Sequence, residues 1–361
     1  MRVFAATPLY VQGPGALKQV GAIAARIGQR PVIVIDAQIL DFFAQDLRSG
    51  FASPVAIVPF AGEVTDAAIA SAAVGCIGCD LVVAVGGGKA LDAGKAVALR
   101  LSVAVISVPT IASNDGPASR GIAMYDDEHR LVRVDQMPCN PAAVVVDTQV
   151  IAQAPVRFLR AGIGDAIAKT FEAEACWAGS GLTKHGTRAT HSGRAIAQAA
   201  YRMLREHGVA AIADARRHEV TEALEATIEA CVLLSAMGFE NGGLAIAHSV
   251  TRGLMPLRGA RNRLHGEHVA YGTLVQLAAE QSTQELVDLK SFLDEIGLPT
   301  SLSSLDVDSL TSSDITAIAT ATMASPHMKS LARVFVVSDL VDAIELVEQL
   351  AREEPTSPTH T

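Results

Sequence analysis

The chain is poor in aromatic residues, in positive charge and in cysteine. Its 361 residues include one Trp, four Tyr and ten Phe, so few side chains offer a platform for base stacking. Lys and Arg number 29 against 38 Asp and Glu, a formal charge of −9. A nucleic-acid partner, whose phosphates are met by basic side chains, is therefore not expected. Five cysteines in a chain of this length make no disulfide framework. No apolar run approaches the roughly 18 residues that span a bilayer, so no membrane partner is expected either. The opening residues 1–17 hold one basic residue and no continuous apolar stretch, which does not read as a signal peptide. These absences leave a soluble, acidic protein expected in the cytoplasm.

Half of the residues are hydrophobic, and the length suits about two domains, each able to bury a core. In the first part, short β-branched runs at 32–35, 55–58, 81–85 and 103–108 alternate with Ala-rich helical stretches at 15–28 and 65–75. Uniformly apolar runs of four to six residues predict strands buried on both faces. Their alternation with helices predicts a parallel, Rossmann-like sheet. A hairpin is expected at 121–134, and 143–146 is the last strong strand signal. Beyond about residue 150, apolar residues recur at three and four, which predicts helices over 166–178, 193–206, 220–237, 269–278 and 341–352. The expected layout is an α/β domain over 1–152, an all-α domain over 153–352, and a frayed Pro-, Ser- and Thr-rich tail over 353–361.

The run 81–85 leads straight into Gly86-Gly87-Gly88-Lys89 and then a helix containing Asp92. Glycines let a backbone approach phosphates, and a helix N-terminus turns its N–H groups and positive dipole end toward them. The spacing is neither that of a GxGxxG fingerprint nor that of a Walker A loop, and a tight strand-to-helix turn is the plainer alternative. Asp36, at the tip of an early strand, suits the ribose hydroxyls of NAD and would repel the extra phosphate of NADP. It equally suits the N-cap of the next helix.

Residues 108–119 form a polar, Gly- and Pro-punctuated loop at a strand end, the place where α/β proteins put ligands. The same residues are also a strong turn signal. Asp165, His248 and His265 supply donors for a divalent ion with an open coordination position, although Asp165 also reads as a helix cap. The HExxH pattern of zinc proteases is absent. Cys76 and Cys79 have CxxC spacing without a second pair and read as small buried residues. Trp177 reads as a core or interface residue.

Taken in order, YVQGPGA from Tyr10, GGGKALDAGKAVA, PTIASNDGP, the long segment ending GIGDAIAKTFEAEA, GFENGGLAIAHSV and LHGEHVAYGTLVQL resemble one family. It is the glycerol dehydrogenase family within the iron-containing, or group III, alcohol dehydrogenases, and the resemblance covers nearly the whole chain. It implies an α/β domain followed by a helical domain, an architecture shared with dehydroquinate synthases, and an NAD-dependent oxidoreductase acting on a small polyol or vicinal diol. Asp165, His248 and His265 match the family's metal ligands, for zinc or else iron. Asp115 matches its substrate-contacting aspartate. Asp36, Gly87, Gly88, Thr110, Ser113, Ser119, Gly121 and Tyr125 match positions lining its NAD site, and Lys89 and Asp92 belong to the same loop and helix. A homo-oligomer is also implied.

Three departures stand out. Asn114-Asp115-Gly116 replaces the usual Thr-Asp-Ala and resembles the loop of glycerol-1-phosphate dehydrogenases. His268 stands where the family usually has Lys, and a place on the polar helix surface is expected for it. Arg252, Arg258, Arg261 and Arg263 crowd the segment between the two metal histidines. Either they hold an anionic substrate, such as a phosphorylated alcohol, or they are solvated or form an oligomer contact. The alternatives to a polyol dehydrogenase are thus an enzyme for an anionic alcohol and, as a poorer match, a dehydroquinate synthase-like lyase.

Overall fold

A computed structural model describes residues 1–353 except His129, Asp308, Ser309 and the side chain of Ser330. The apolar runs form a six-stranded sheet of β1 (Tyr10–Gly13), β2 (Pro31–Asp36), β3 (Ala56–Phe60), β4 (Leu81–Gly86), β5 (Ala104–Pro109) and β8 (Ala143–Asp147). The order is β1-β8-β5-β4-β2-β3, and every pairing is parallel. Side chains alternate across the sheet with period two. Val32, Val34, Val82 and Ala84 enter one core, while Ile33, Ile35, Leu81, Val83 and Val85 enter the other. Both faces are apolar because helices cover both, which is why these strands read as unbroken hydrophobic runs.

The expected hairpin is β6 (Gly121–Tyr125) against β7 (Leu131–Gln136), antiparallel; His129 at its tip lies outside the described residues. The sequence pattern shows no strand at β1, which pairs with β8 at the sheet edge.

The chain divides into two compact units. One comprises Ala5–Gly162 and Ala210–Met237; the other comprises Met1–Phe4, Ile163–Val209 and the described chain from Gly238 onward. The expectation puts a single boundary after residue 152, whereas the packing puts the first crossing at Gly162 and returns a later segment to the sheet unit. Glu225 shows why: its backbone carbonyl accepts from Gln12 Nε2 at 3.0 Å, and its carboxylate accepts from Thr148 Oγ1 at 3.0 Å. The helix expected over 220–237 is broken into Glu222–Glu229, a π-helical turn over Ala230–Leu234, and Ser235–Gly242.

The second unit takes Val156–Ala178 from Ile163 onward and His191–Arg216 as far as Val209, with helices that include Ile246–Leu254, His265–Ala279, Thr283–Ile296, Ser312–Met323 and Val337–Glu353. Of the expected tail only Glu353, the last residue of that final helix, is described; the rest lies outside the described residues. Among the described residues no single helix is long and apolar enough to cross a membrane.

Candidate functional site

In the sheet unit, the predicted cofactor residues gather at the carboxyl ends of β2, β4 and β5, the edge where open α/β sheets bind ligands. Gly86 closes β4 at φ +143°, and a Cβ there would lie 2.8 Å from Ala90 Cβ and 3.0 Å from Asp36 Cβ. Gly87 N-caps the helix Gly88–Leu101 without any side-chain cap, so the first-turn N–H groups remain for a ligand. A Cβ on Gly87 would stand 3.0 Å from Ile111 Cδ1, and one on Gly88 3.4 Å from Asn114 Nδ2. Thr110 ties the next loop to this turn, its N–H donating to the Gly86 carbonyl at 3.1 Å. Asp36 lies at the β2 tip, with Oδ1 accepting from the Gln38 N–H at 2.9 Å.

Two of the proposed cofactor residues have other partners. Lys89 is ion-paired with Glu63. Asp92 pairs with Lys95 at 2.9 Å and accepts from the Ala123 N–H at 3.0 Å. Lys95, fully buried, also donates to the carbonyls of Gly116 at 3.0 Å and Gly121 at 2.6 Å. It thus tethers the loop carrying Ser113, Asp115 and buried Ser119 to the glycine-loop helix, a role the sequence pattern does not reveal. Tyr125 ends β6, and burial, with Asp92 and Glu63 nearby, pushes its phenol up to about 12. Asn114 Oδ1 accepts from the Gly116 N–H at 2.9 Å, a local turn. Asp115 Oδ2 accepts from Ser235 Oγ at 3.0 Å. Ser235 comes directly after the π-helical turn, and such turns recur at functional sites.

In the helical unit, three helices bring the predicted ligands together. Asp165 lies within Val156–Ala178, His248 in the first turn of Ile246–Leu254, and His265 opens His265–Ala279. Ala168, Ala247 and Val269 pack as the apolar cluster joining these helices. Gly164 permits the approach, since a Cβ there would lie 2.4 Å from the Gly266 carbonyl oxygen. Asp165 Oδ1 is 3.2 Å from His248 Nε2 and 3.7 Å from His265 Nε2. One donor atom from each residue lies within 4.8 Å of the others. A tetrahedral ion with bonds of about 2.0–2.1 Å holds its ligand atoms about 3.3–3.4 Å apart. The donor set therefore fits a divalent ion.

Glu172 prepares this site, and no motif in the sequence singles it out. It is fully buried; its Oε2 meets His248 Nδ1 at 2.6 Å and its Oε1 accepts the N–H groups of Ala245 at 2.9 Å and His248 at 3.0 Å. Burial alone would raise its pKa, but His248 outweighs burial and brings it to about 2. Burial opposes charge on His248, but Glu172 and Asp165 outweigh it and raise the pKa of the ring above its usual value. In the neutral ring a charged Glu172 holds the proton on Nδ1 and Nε2 is the atom left for an ion, the usual way a ligand imidazole is oriented. Burial likewise opposes ionisation of Asp165, yet Lys169 and His248 hold it below the carboxylate range. Lys169 Nζ lies 2.8 Å from Asp165 Oδ1 and 2.9 Å from His248 Nε2. Asp165, Lys169 and Glu172 are four and three residues apart on one helix, a polar stripe in an otherwise Ala-rich segment. That stripe was the signal available.

His268 departs from expectation: it is buried, and its Nε2 is 2.7 Å from the Ala260 carbonyl instead of lying on a polar helix surface. The carbonyl it meets comes from the short 3-10 turn Ala260–Asn262 that precedes the helix. Of the four arginines, Arg263 is engaged with Asp306 at 2.8 Å and the Ser304 carbonyl at 3.0 Å. Arg252, Arg258 and Arg261 are exposed. Trp177 is half-buried, with the Arg2 guanidinium 4.9 Å from its ring centre. Cys76 is buried, and burial pushes its thiol up to about 11.

A strand-end glycine cradle and an Asp/His/His donor set are together the parts of a metal-assisted, nucleotide-linked oxidoreductase. Residues 11–155 match the iron-containing alcohol dehydrogenases. A glycerol dehydrogenase of Escherichia coli O6:H1 is 39% identical over 85% of each chain. A glycolaldehyde reductase of Halobacterium salinarum is 38% identical over 88% of this chain and 89% of its own. The crystal structure of glycerol dehydrogenase from Schizosaccharomyces pombe superposes with a TM-score of 0.93 at 31% identity, covering 98% of this chain and 92% of that one. The chain belongs to the glycerol dehydrogenase family of the iron-containing alcohol dehydrogenases, and it is an alcohol dehydrogenase.

Proposed function

We propose that this protein interconverts a small polyol or vicinal diol, of the glycerol type, with its ketone or aldehyde, using NAD and one divalent metal. The observation that carries the reading is the Asp165, His248 and His265 donor set with the His248 tautomer held by Glu172. Zinc is our assignment, with iron the alternative, because donor separations of 3.2 and 3.7 Å suit a tetrahedral site better than an octahedral one. When bound, the ion supplies Lewis acidity that lowers the pKa of a substrate hydroxyl, and NAD takes the hydride.

The chain's residues do the positioning. Gly87 and Gly88, with the uncapped helix start, take the pyrophosphate. Asp36 accepts the adenosine ribose hydroxyls, which selects NAD over NADP. Thr110, Ser113, Ser119, Gly121 and Tyr125 complete the cofactor surface in this reading, and Lys89 and Asp92 support it through Glu63 and Lys95. Asp115, oriented by Ser235, accepts a hydrogen bond from a second substrate hydroxyl, which favours diols over simple alcohols. Arg263, committed to Asp306, gives no support to an anionic substrate. The N-terminal unit is read as the NAD domain and the helical unit as the metal domain. A homo-oligomer in the cytoplasm is part of the same reading, and five unpaired cysteines agree with a reducing compartment.

The test is a substrate screen. Purified protein with zinc should reduce NAD with glycerol or propylene glycol, more slowly with a simple alcohol, and poorly with NADP. Preference for glycerol phosphates over glycerol would overturn the polyol assignment. Asp115→Ala should narrow the gap between diol and simple alcohol.

A further inference from the structure

The cation at the donor set belongs to the chain itself. Lys169 lies one helical turn beyond Asp165 and its side chain is 1% exposed. Its Nζ is within hydrogen-bond distance of two of the three donor atoms, Asp165 Oδ1 and His248 Nε2. Because Glu172 engages Nδ1 of His248, the neutral ring presents its Nε2 lone pair to the ammonium 2.9 Å away. Those are the same electron pairs that an ion at the triad would use. An ammonium and a divalent ion are like charges, and one lone pair serves one cation at a time.

We propose that Lys169 is a resident cation which a divalent metal must displace, so that this site holds its metal more weakly than its three ligands alone would. The inference rests on reading the triad as a metal site. Charge explains why a lysine is tolerated there: with no ion bound, an unpaired buried carboxylate would be costly, and the ammonium compensates it. A retreat is available too, since Nζ is already 5.5 Å from the centre of the Phe239 ring, within the range of a cation–π contact. The site then stays ordered with or without metal, and the metal is exchangeable.

The experiment is a zinc titration of the full-length, chelator-stripped protein against a chromophoric chelator, without NAD or substrate. Wild type is compared with Lys169→Met and Lys169→Gln; the glutamine keeps a donor toward Asp165 in case the methionine variant does not fold, and circular dichroism reports folding. Removing the competing charge-assisted hydrogen bonds should tighten zinc binding by about 10- to 100-fold in both variants. Equal or weaker zinc binding by a folded Lys169→Gln protein overturns the proposal. Failure of all three folded proteins to bind zinc or ferrous ion overturns it together with the metal reading. Tighter binding by the variants upholds it even if no alcohol reduces NAD, an outcome that would sink the proposed reaction alone.

Discussion

Glu172→Gln changes one buried oxygen to an amide nitrogen in a place where every neighbour is already a donor. Glu172 accepts from three of them: two backbone N–H groups on Oε1 and the His248 ring on Oε2. A glutamine keeps one accepting oxygen. If that oxygen stays with the backbone of the Ile246–Leu254 helix start, the amide NH2 confronts the Nδ1 proton. The ring escapes by moving its proton to Nε2, where Asp165 Oδ1 at 3.2 Å accepts it and Lys169, which has donors only, is displaced. Keeping the proton on Nδ1 leaves a buried donor opposed, at a cost of about 1–3 kcal/mol, and moving it spends the Nε2 lone pair on Asp165. The Nε2 lone pair of His248, which the proposed ion would use, is lost for much of the time, and changes in groups that support a ligand imidazole weaken metal binding by about 10- to 100-fold. Zinc titration against a chromophoric chelator measures the second quantity, thermal melting the first, and nitrogen NMR of the histidine ring reads the tautomer. Unchanged zinc affinity, with His248 still protonated at Nδ1, would rule out this role for Glu172.

Gly164→Val drives a side chain into the Gly266 backbone, 2.4 Å from where its Cβ would stand. Overpacking of this kind costs about 1–3 kcal/mol, so melting should fall and zinc affinity fall with it as the His265 helix is pushed from Asp165; unchanged values in both would mean that the two helices are not held this closely. Glu348 offers a pH test on a carboxyl outside the donor set. It accepts from Tyr271 Oη at 3.0 Å and from the Leu302 N–H at 2.9 Å, and burial raises its pKa above the usual 4.5. A carboxyl raised on folding loses stability as pH climbs from the unfolded value through the folded one. Glu348→Gln keeps an acceptor and removes that loss, so the variant should melt higher than wild type near pH 7, the advantage shrinking as pH falls toward 4.5 and vanishing below it. An advantage independent of pH would show the sign to be wrong.

The parallel sheet was legible because strands covered on both faces become apolar runs, and 32–35 and 81–85 can hardly be anything else. β1 was not, because Gln12 and Gly13 interrupt its pattern and only its pairing with β8 makes it a strand. The return of Ala210–Met237 to the sheet unit rests on contacts such as Gln12 with Glu225, which span the sequence and leave no local mark. The convergence of Asp165, His248 and His265 was legible through the ordered motifs around them. Their supports were harder: Lys169 and Glu172 lie in the same motif as Asp165, but nothing in it assigns them a role, and only their spacing from Asp165 on an Ala-rich helix hints at a shared face. His268 was misread because a histidine three residues into a helix looks solvent-facing until the Ala260 turn covers it.

The proposed reaction depends on one requirement: an ion held by Asp165, His248 and His265 is needed for NAD-linked oxidation of a polyol. NADH formation from glycerol tests it, measured on chelator-stripped protein before and after zinc or ferrous ion is restored, in wild type and in His265→Ala. Stripped protein should be inactive, wild type should recover when metal returns, and the variant should not. Full activity in thoroughly stripped protein, or equal recovery by His265→Ala, would show that the ion is not required.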